Sequence, residues 1–229
     1  MNRLVIIGAS GHGKVIADIA ILNGYKDIVF LDDDENIRSC AGFPVVGRVA
    51  DGIRMAGDKI VAIGNAVTRE RIQRELDDVV TLIHPNAIIS RRVQIGKGTV
   101  VMAGAVINSD AVIGDGCIIN TGASLDHDCV IEDFAHVSFG AHIAGTVRVG
   151  KRAWIGAGAV VINNLNICGD CMVGAGAVVV RDITEQGTYI GVPAKEKNVS
   201  KHRITGGGYC STVIMNVEHL LSTQHRRAA

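Results

Sequence analysis

At 229 residues the chain has room for one large domain or two small ones. Its 23 Lys and Arg balance 23 Asp and Glu, and no basic stripe is visible, so nucleic acid is not an expected partner. Hydrophobic residues make up 48%, ample for a core, but aromatic ones only 3%, a shortage that would suit an interior too narrow for rings.

In chain order, Leu4 to Ile7 is a continuous apolar run, as in a strand buried on both faces. It enters without the basic and then long apolar segments of a secretory signal. No stretch reaches the roughly 18 apolar residues of a membrane span, and a cytoplasmic location is expected. Gly8-Ala9-Ser10-Gly11-His12-Gly13 follows, then a helix from Lys14 to Asn23 with Val15, Ile19 and Leu22 on one side. A second strand, Ile28 to Leu31, ends in Asp32-Asp33-Asp34. A third, Lys59 to Ile63, closes on Gly64-Asn65. A charged helix spans Arg69 to Leu76, and Val79 to Ile83 reads as a fourth strand. Strands alternating with helices predict a small parallel sheet, a Rossmann-like α/β domain over residues 1–83. His84-Pro85 marks the junction, since a residue before proline is pushed extended.

From Ile83 to Val179 a branched aliphatic recurs every sixth residue: Ile83, Ile89, Ile95, Val101, Ile107, Ile113, Ile119, Leu125 and onward to Val173 and Val179. Two residues earlier stands a small residue, as at Ala105, Ala111, Cys117, Ala123, Cys129, Ala135 and Ala141. The residue just after the aliphatic is often one that tolerates positive φ, such as Gly96, Asn108, Gly114, Asn120 or Gly150. A period of six fits neither a helix nor an alternating strand; it fits a parallel β-helix of hexapeptides. Three hexads per coil would stack residues 18 apart in about five coils, over residues 84–198. Cys117, Cys129 and Cys171 fall in the small inward column, where free Cys acts as a compact hydrophobe. Cys168 and Cys171 form a lone CxxC with no second pair, so no metal role is expected. The tail, residues 199–229, holds Gly206-Gly207-Gly208 and an apolar Val213 to Leu221, read as a linker and a short docking helix.

Two places could carry chemistry. The glycine loop lies between a buried strand and a helix, where backbone N–H groups and the helix dipole receive phosphate, although GxxGxG is not the dinucleotide fingerprint. Asp32, at the end of the next strand, is where an acid commonly meets a ribose hydroxyl. Lys14 in the first helical turn suggests a nearby anion. In the repeat, Asp126-His127-Asp128 is a histidine between two carboxylates, which favours the imidazolium and fixes the tautomer of the neutral ring, as a general base needs. His136 and His142 follow on successive faces. Asn163 and Asn164 read as turn residues, and Trp154 as a cap or subunit contact.

Gly-Ala-Ser-Gly-His-Gly after the first strand, Leu-Asp-Asp after the second and Ile-Gly-Asn after the third resemble the PglD/NeuD family of sugar acetyltransferases. In the repeat, Asn120-Thr121, His127-acid-Cys129-Val130, Phe134-x-His136-Val137, Ala144-Gly145 and Gly191-Val192-Pro193-Ala194-Lys195 agree with it. The resemblance covers about residues 3–197. It implies a left-handed β-helix, a homotrimer, acetyl-CoA as co-substrate and a nucleotide-activated amino sugar held by the N-terminal domain. By matching positions, His127 would be the general base, Asp128 (or Asp126) its orienting acid, and Asn120 a residue near the base. His136, Gly145, Ala157 and Ala175 would contact acetyl-CoA, with the Gly145 N–H as oxyanion donor. Ser10, Gly11, His12, Asp32, Asp33 and Gly64 would hold the nucleotide sugar. No metal is required. The acid after His127 is Asp here, whereas Glu is also common in the family.

Three other readings compete. An O-acetyltransferase acting on a sialic-acid-type sugar would use the same base. A zinc hydratase built on a β-helix would need three histidines, and His127, His136 and His142 would have to converge. A sugar-sensing scaffold would need neither His127 nor acetyl-CoA.

Overall fold

The computed structural model describes residues 3–197; the expected tail, residues 199–229, lies outside the described residues. The N-terminal part is a five-stranded sheet of β1 (Arg3–Ile7), β2 (Asp27–Leu31), β3 (Ser39–Cys40), β4 (Phe43–Gly47) and β5 (Asp58–Val61). Their order is β3-β4-β2-β1-β5. β1 runs parallel to β2 and β5 on either side, and its two faces pack into separate apolar clusters, Leu4 and Ile6 in one and Val5 and Ile7 in the other, all fully buried. Two helices connect the strands, α1 (Gly11–Leu22) and α2 (Ala66–Gln73). Among the described residues no helix is long and apolar enough to cross a membrane.

Local signals misplaced several boundaries. α1 begins three residues earlier than expected and buries Gly13, Ile16, Ala17, Ile19 and Ala20, leaving Val15 and Leu22 exposed. A side chain at Gly13 would collide with the Gly8 carbonyl, so the first turn presses its bare face on the loop and carries Ile16, Ala17 and Ala20 inward. α2 also starts early, because Asn65 caps it by accepting the Thr68 N–H at 2.9 Å. The antiparallel β3–β4 hairpin was not foreseen. The expected fourth sheet strand does not form: Val79 makes one bridge to Lys59, and Leu82–Ile83 pairs with Val100–Val101. Those two residues stand in the 18-residue register of the repeat, and that register wins.

From Leu82 onward the chain winds as a parallel β-helix of two-residue strands. Residues 18 apart pair throughout, as in Ile118 with His136 and Ser124 with His142. Three flat faces result. One carries Leu82–Ile83, Val100–Val101, Ile118–Ile119, His136–Val137, Trp154–Ile155 and Met172–Val173; the second runs from Ile88–Ile89 to Val178–Val179; the third from Gln94–Ile95 to Asn166–Ile167. The second residue of each strand points inward, so the sixfold aliphatic column and the small column form one continuous core. Leu125, fully buried, stacks between Ile107 and Ile143. Leu125→Ala is expected to cost about 2–5 kcal/mol, measured as a lower urea midpoint at unchanged slope.

Positive φ does not fall just after the aliphatic. It falls three residues after it, at Gly98, Asp110, Gly122, Asp128, Gly140 and Thr146 among others, where the chain turns each corner. Glycine just after the aliphatic has another cause. At Gly114 an added Cβ would lie 2.7 Å from the Asp133 N, because successive coils approach closely there.

The sheet domain is seated on the first face and one corner of the β-helix. Outward-pointing Leu82, Val100 and Ile118, with Met102, join the hydrophobic core of the sheet domain and α1. α2 adds polar fastenings. Glu70 meets Lys151 at 2.5 Å and Arg152 at 2.8 Å, and Gln73 donates to the Lys97 carbonyl at 3.0 Å. Burial opposes ionisation of Glu70, but the hydrogen bonds from Lys151 and Arg152 outweigh it and hold the carboxyl below its usual range.

Candidate active site

The expected nucleotide-sugar residues gather at the C-terminal ends of β1, β2 and β5, the edge of an open parallel sheet where ligands bind. Ser10 and Gly11 are exposed at the start of α1, and Ser10 makes no side-chain cap, so its hydroxyl does not occupy the first helical N–H groups. Asp32 is already engaged: one carboxylate oxygen accepts the Ala9 N–H at 2.7 Å and the other the Asp34 N–H at 2.9 Å. Its position shapes the glycine loop as much as it offers an acceptor. Asp33 accepts the Val49 N–H at 3.1 Å, and Gly64 lies exposed beyond β5.

His12 turns from this loop toward the β-helix. Its Nε2 is buried without a partner among the described residues. Burial, and the nearby Arg69 charge, push its pKa down to about 4. Across the junction stands His136. The Thr121 N–H holds the Asn120 Oδ1 at 2.8 Å, which leaves the Asn120 Nδ2 to face the His136 Nε2 at 3.2 Å. The Nε2 is therefore the acceptor and the proton sits on Nδ1, which is buried and unpartnered among the described residues. Burial, Arg69 and His12 press the His136 pKa down to about 3. Trp154 is not a cap. Eighteen residues on, it stacks on His136 with ring centroids 5.1 Å apart, and its indole N–H donates to the Ser138 Oγ at 2.6 Å.

His127 lies elsewhere, on the corner between the second and third faces. Its Nδ1 pairs with the Asp128 Oδ2 at 2.7 Å, and Asp126 accepts the His127 N–H at 2.8 Å. The Asp128 hydrogen bond, and then the Asp126 charge, raise the His127 pKa above its ordinary value. With Nδ1–H donated to Asp128, Nε2 is the free basic atom. Asp128 holds its place in the left-handed region, φ 59°, which Asp tolerates. Gly145, stacked one coil away, lies directly under the ring: an added Cβ would be 2.7 Å from His127 Cε1 and Nε2. Among the described residues no hydrogen bond is made by the Gly145 N–H. Beside this corner lies a cleft of about 530 Å³, lined by Asn108, Ser124, Asp126, His142, Ile162 and Asn163 among others.

Within one chain, then, His127, Asp128 and Gly145 come together, whereas Asn120 does not join them. Asn120, Ala157 and Ala175 lie along the corner between the first and second faces, since none of them stands a whole number of coils away from His127. His127, His136 and His142 occupy three different positions around the coil and do not converge, and no group of three or more His, Cys, Asp or Glu among the described residues is placed to hold a metal ion.

The N-terminal part matches the family model for the PglD N-terminal domain over residues 3–76. The acetyltransferase domain of PglB from Neisseria gonorrhoeae, of which one structure is in complex with acetyl coenzyme A, superposes with a TM-score of 0.83. It is 41% identical, over 86% of this chain and 100% of that one. The chain belongs to the PglD/NeuD family of sugar acetyltransferases. Its β-helix is thereby the left-handed hexapeptide kind. A second family member, PerB from Caulobacter crescentus in complex with CoA and GDP-perosamine, is 40% identical over 86% of this chain and 98% of its own, with a TM-score of 0.81. A UDP-N-acetylbacillosamine N-acetyltransferase from Bacillus subtilis is 40% identical over 117 residues, about half the length of either protein.

Sequence reasoning missed Arg69, which is 1% exposed and lies on α2 amid charged neighbours that read as a solvated face. No local signal separates it from Arg71 or Arg74. The Trp154–His136 stack was missed as well, although the two residues are 18 apart in a repeat whose period signals such a pairing.

Proposed function

We propose that the protein transfers the acetyl group of acetyl-CoA to the amino group of a nucleotide-activated sugar, a UDP- or GDP-linked 4-amino sugar, in glycan biosynthesis in the cytoplasm. The observation that carries this reading is the His127 corner, where a free basic Nε2, its orienting Asp128 and an uncommitted N–H at Gly145 share one spot. Relatives named for UDP-N-acetylbacillosamine and GDP-perosamine support the class of acceptor.

In this reading the sheet domain holds the nucleotide sugar through Ser10, Gly11, His12, Asp32, Asp33 and Gly64. The β-helix holds acetyl-CoA. The sugar amine attacks the thioester carbonyl carbon and forms the new N–C bond, while His127 Nε2 takes the amine proton. Negative charge on the carbonyl oxygen is met by the Gly145 N–H. Collapse breaks the C–S bond, and the thiolate leaves as CoA with the proton from His127. No covalent enzyme intermediate is required.

Because Asn120, His136, Ala157 and Ala175 lie on a different part of the triangular coil from His127, the full set closes only between copies of the chain. A homotrimer brings the His127 corner of one subunit to the Asn120 corner and sheet domain of the next. The test is thiol release from acetyl-CoA with a panel of UDP- and GDP-linked 4-amino sugars beside free sialic acid. Turnover with one nucleotide amino sugar is the expected result and names the nucleotide. Turnover with sialic acid alone would move the protein to O-acetylation, and no thiol release with any acceptor would overturn the transferase reading.

A further inference from the structure

Arg69 is fully buried, yet no carboxylate is among its hydrogen-bond partners. Its Nη1 donates to the Ile63 and Gly64 carbonyls at 2.8 Å each, both in the loop after β5. Its Nε donates to the Gly116 carbonyl and its Nη2 to the Phe134 carbonyl, each at 2.7 Å, both on the β-helix. One guanidinium thus ties the backbone of the expected sugar-binding Gly64 to the backbone two residues before His136. A buried cation without a counter-ion is costly, and hydrophobic packing around Leu82, Val100 and Ile118 already fastens the two parts.

Resting on the transferase reading above, we propose that Arg69 is a positioning residue, which fixes the spacing and alignment of His12 and His136 across the junction between the sheet domain and the β-helix. The planar fork suits this task, since four N–H groups at fixed angles define both translation and tilt, which a lysine ammonium does not. The same charge acts on the two imidazoles. Arg69 is among the causes that lower both pKa values, and the other ionisable group near it is Cys117, whose thiol burial pushes up to about 12 and keeps uncharged. Burial lowers the Arg69 pKa to about 10, so it remains a cation at neutral pH. Burial first, with the Arg69 charge adding to it, holds His12 and His136 neutral, each with one buried ring nitrogen free.

The test compares wild type, Arg69→Lys and Arg69→Gln as full-length chains, with folded fraction from near-UV circular dichroism. Two readouts are taken: steady-state kinetics per folded enzyme, and histidine ring titration by NMR. In Arg69→Lys, kcat is expected to fall at least tenfold while both KM values stay within about threefold, the mark of misaligned but bound reactants. In Arg69→Gln, His12 and His136 are expected to titrate nearer the ordinary histidine value of about 6.5, with Arg69→Lys staying close to wild type. A folded Arg69→Lys with wild-type kcat would overturn the positioning role. If the wild type acetylates no nucleotide sugar, the transferase reading fails, and the titrations alone decide whether Arg69 governs the two histidines. If Arg69→Gln does not fold, the kinetics of Arg69→Lys decide.

Discussion

His127→Ala is expected to lower kcat/KM for the amino sugar about a thousandfold, within the 10²–10⁴ that a positioned general base supplies. The side chain is exposed on a corner and packs into no core, so the loss should come without loss of folding. Circular dichroism and thermal midpoint alongside the kinetics check that separation. The pH profile gives an independent view. A base works unprotonated, so the rate falls as pH drops through the His127 pKa, which Asp128 and Asp126 have raised. Asp128→Asn removes the largest of those causes. The acid limb should then move to lower pH, while the plateau rate drops because the imidazole loses its orientation and fixed tautomer. An acid limb that stays put in Asp128→Asn would assign it to another group, and undiminished activity in His127→Ala would assign the base elsewhere.

Gly145→Ala is expected to cost about a hundredfold in kcat, roughly the effect of a 1 Å misplacement at a reacting centre. The added methyl would stand 2.7 Å from both Cε1 and Nε2 of His127, closer than real Cβ contacts come, so the exposed ring must swing aside. Gly145 does not sit at positive φ, so its own backbone accepts alanine without strain. Stability should therefore change little, in contrast to Leu125→Ala, where stability is the expected loss. A crystal structure of the variant would show the displaced imidazole, and a variant of full activity would mean that His127 need not lie over Gly145 during the reaction.

The sequence made the β-helix legible because its constraint is periodic and local. Each coil needs a branched aliphatic on its axis every six residues, and Ile107, Leu125 and Ile143 meet that need in turn. The His127 corner was legible for a related reason, since Asp126, His127 and Asp128 are neighbours in the chain and any extended corner brings them within reach of one another. The glycine loop and the acids after β2 could likewise be placed, because the ends of parallel strands define one edge. Where reading failed, as with Leu82–Ile83, two local patterns competed and the choice between sheet and β-helix depended on partners far along the chain.

The tertiary structure alone decided which of these residues meet. Asn120 and His127 are seven residues apart, yet a triangular coil turns between them and sends them to different corners. His12 and His136 are 124 residues apart and face one junction, because the aliphatic column of Leu82, Val100 and Ile118 seats the sheet domain just short of His136. Arg69 shows the same dependence most plainly. A charged residue on a short helix is ordinarily solvated, and the Gly116 and Phe134 carbonyls from the β-helix, added to those of Ile63 and Gly64, satisfy this one where it is buried. Periodicity determines how a chain coils upon itself; the docking of one coiled part on another is set by contacts that no window of sequence contains.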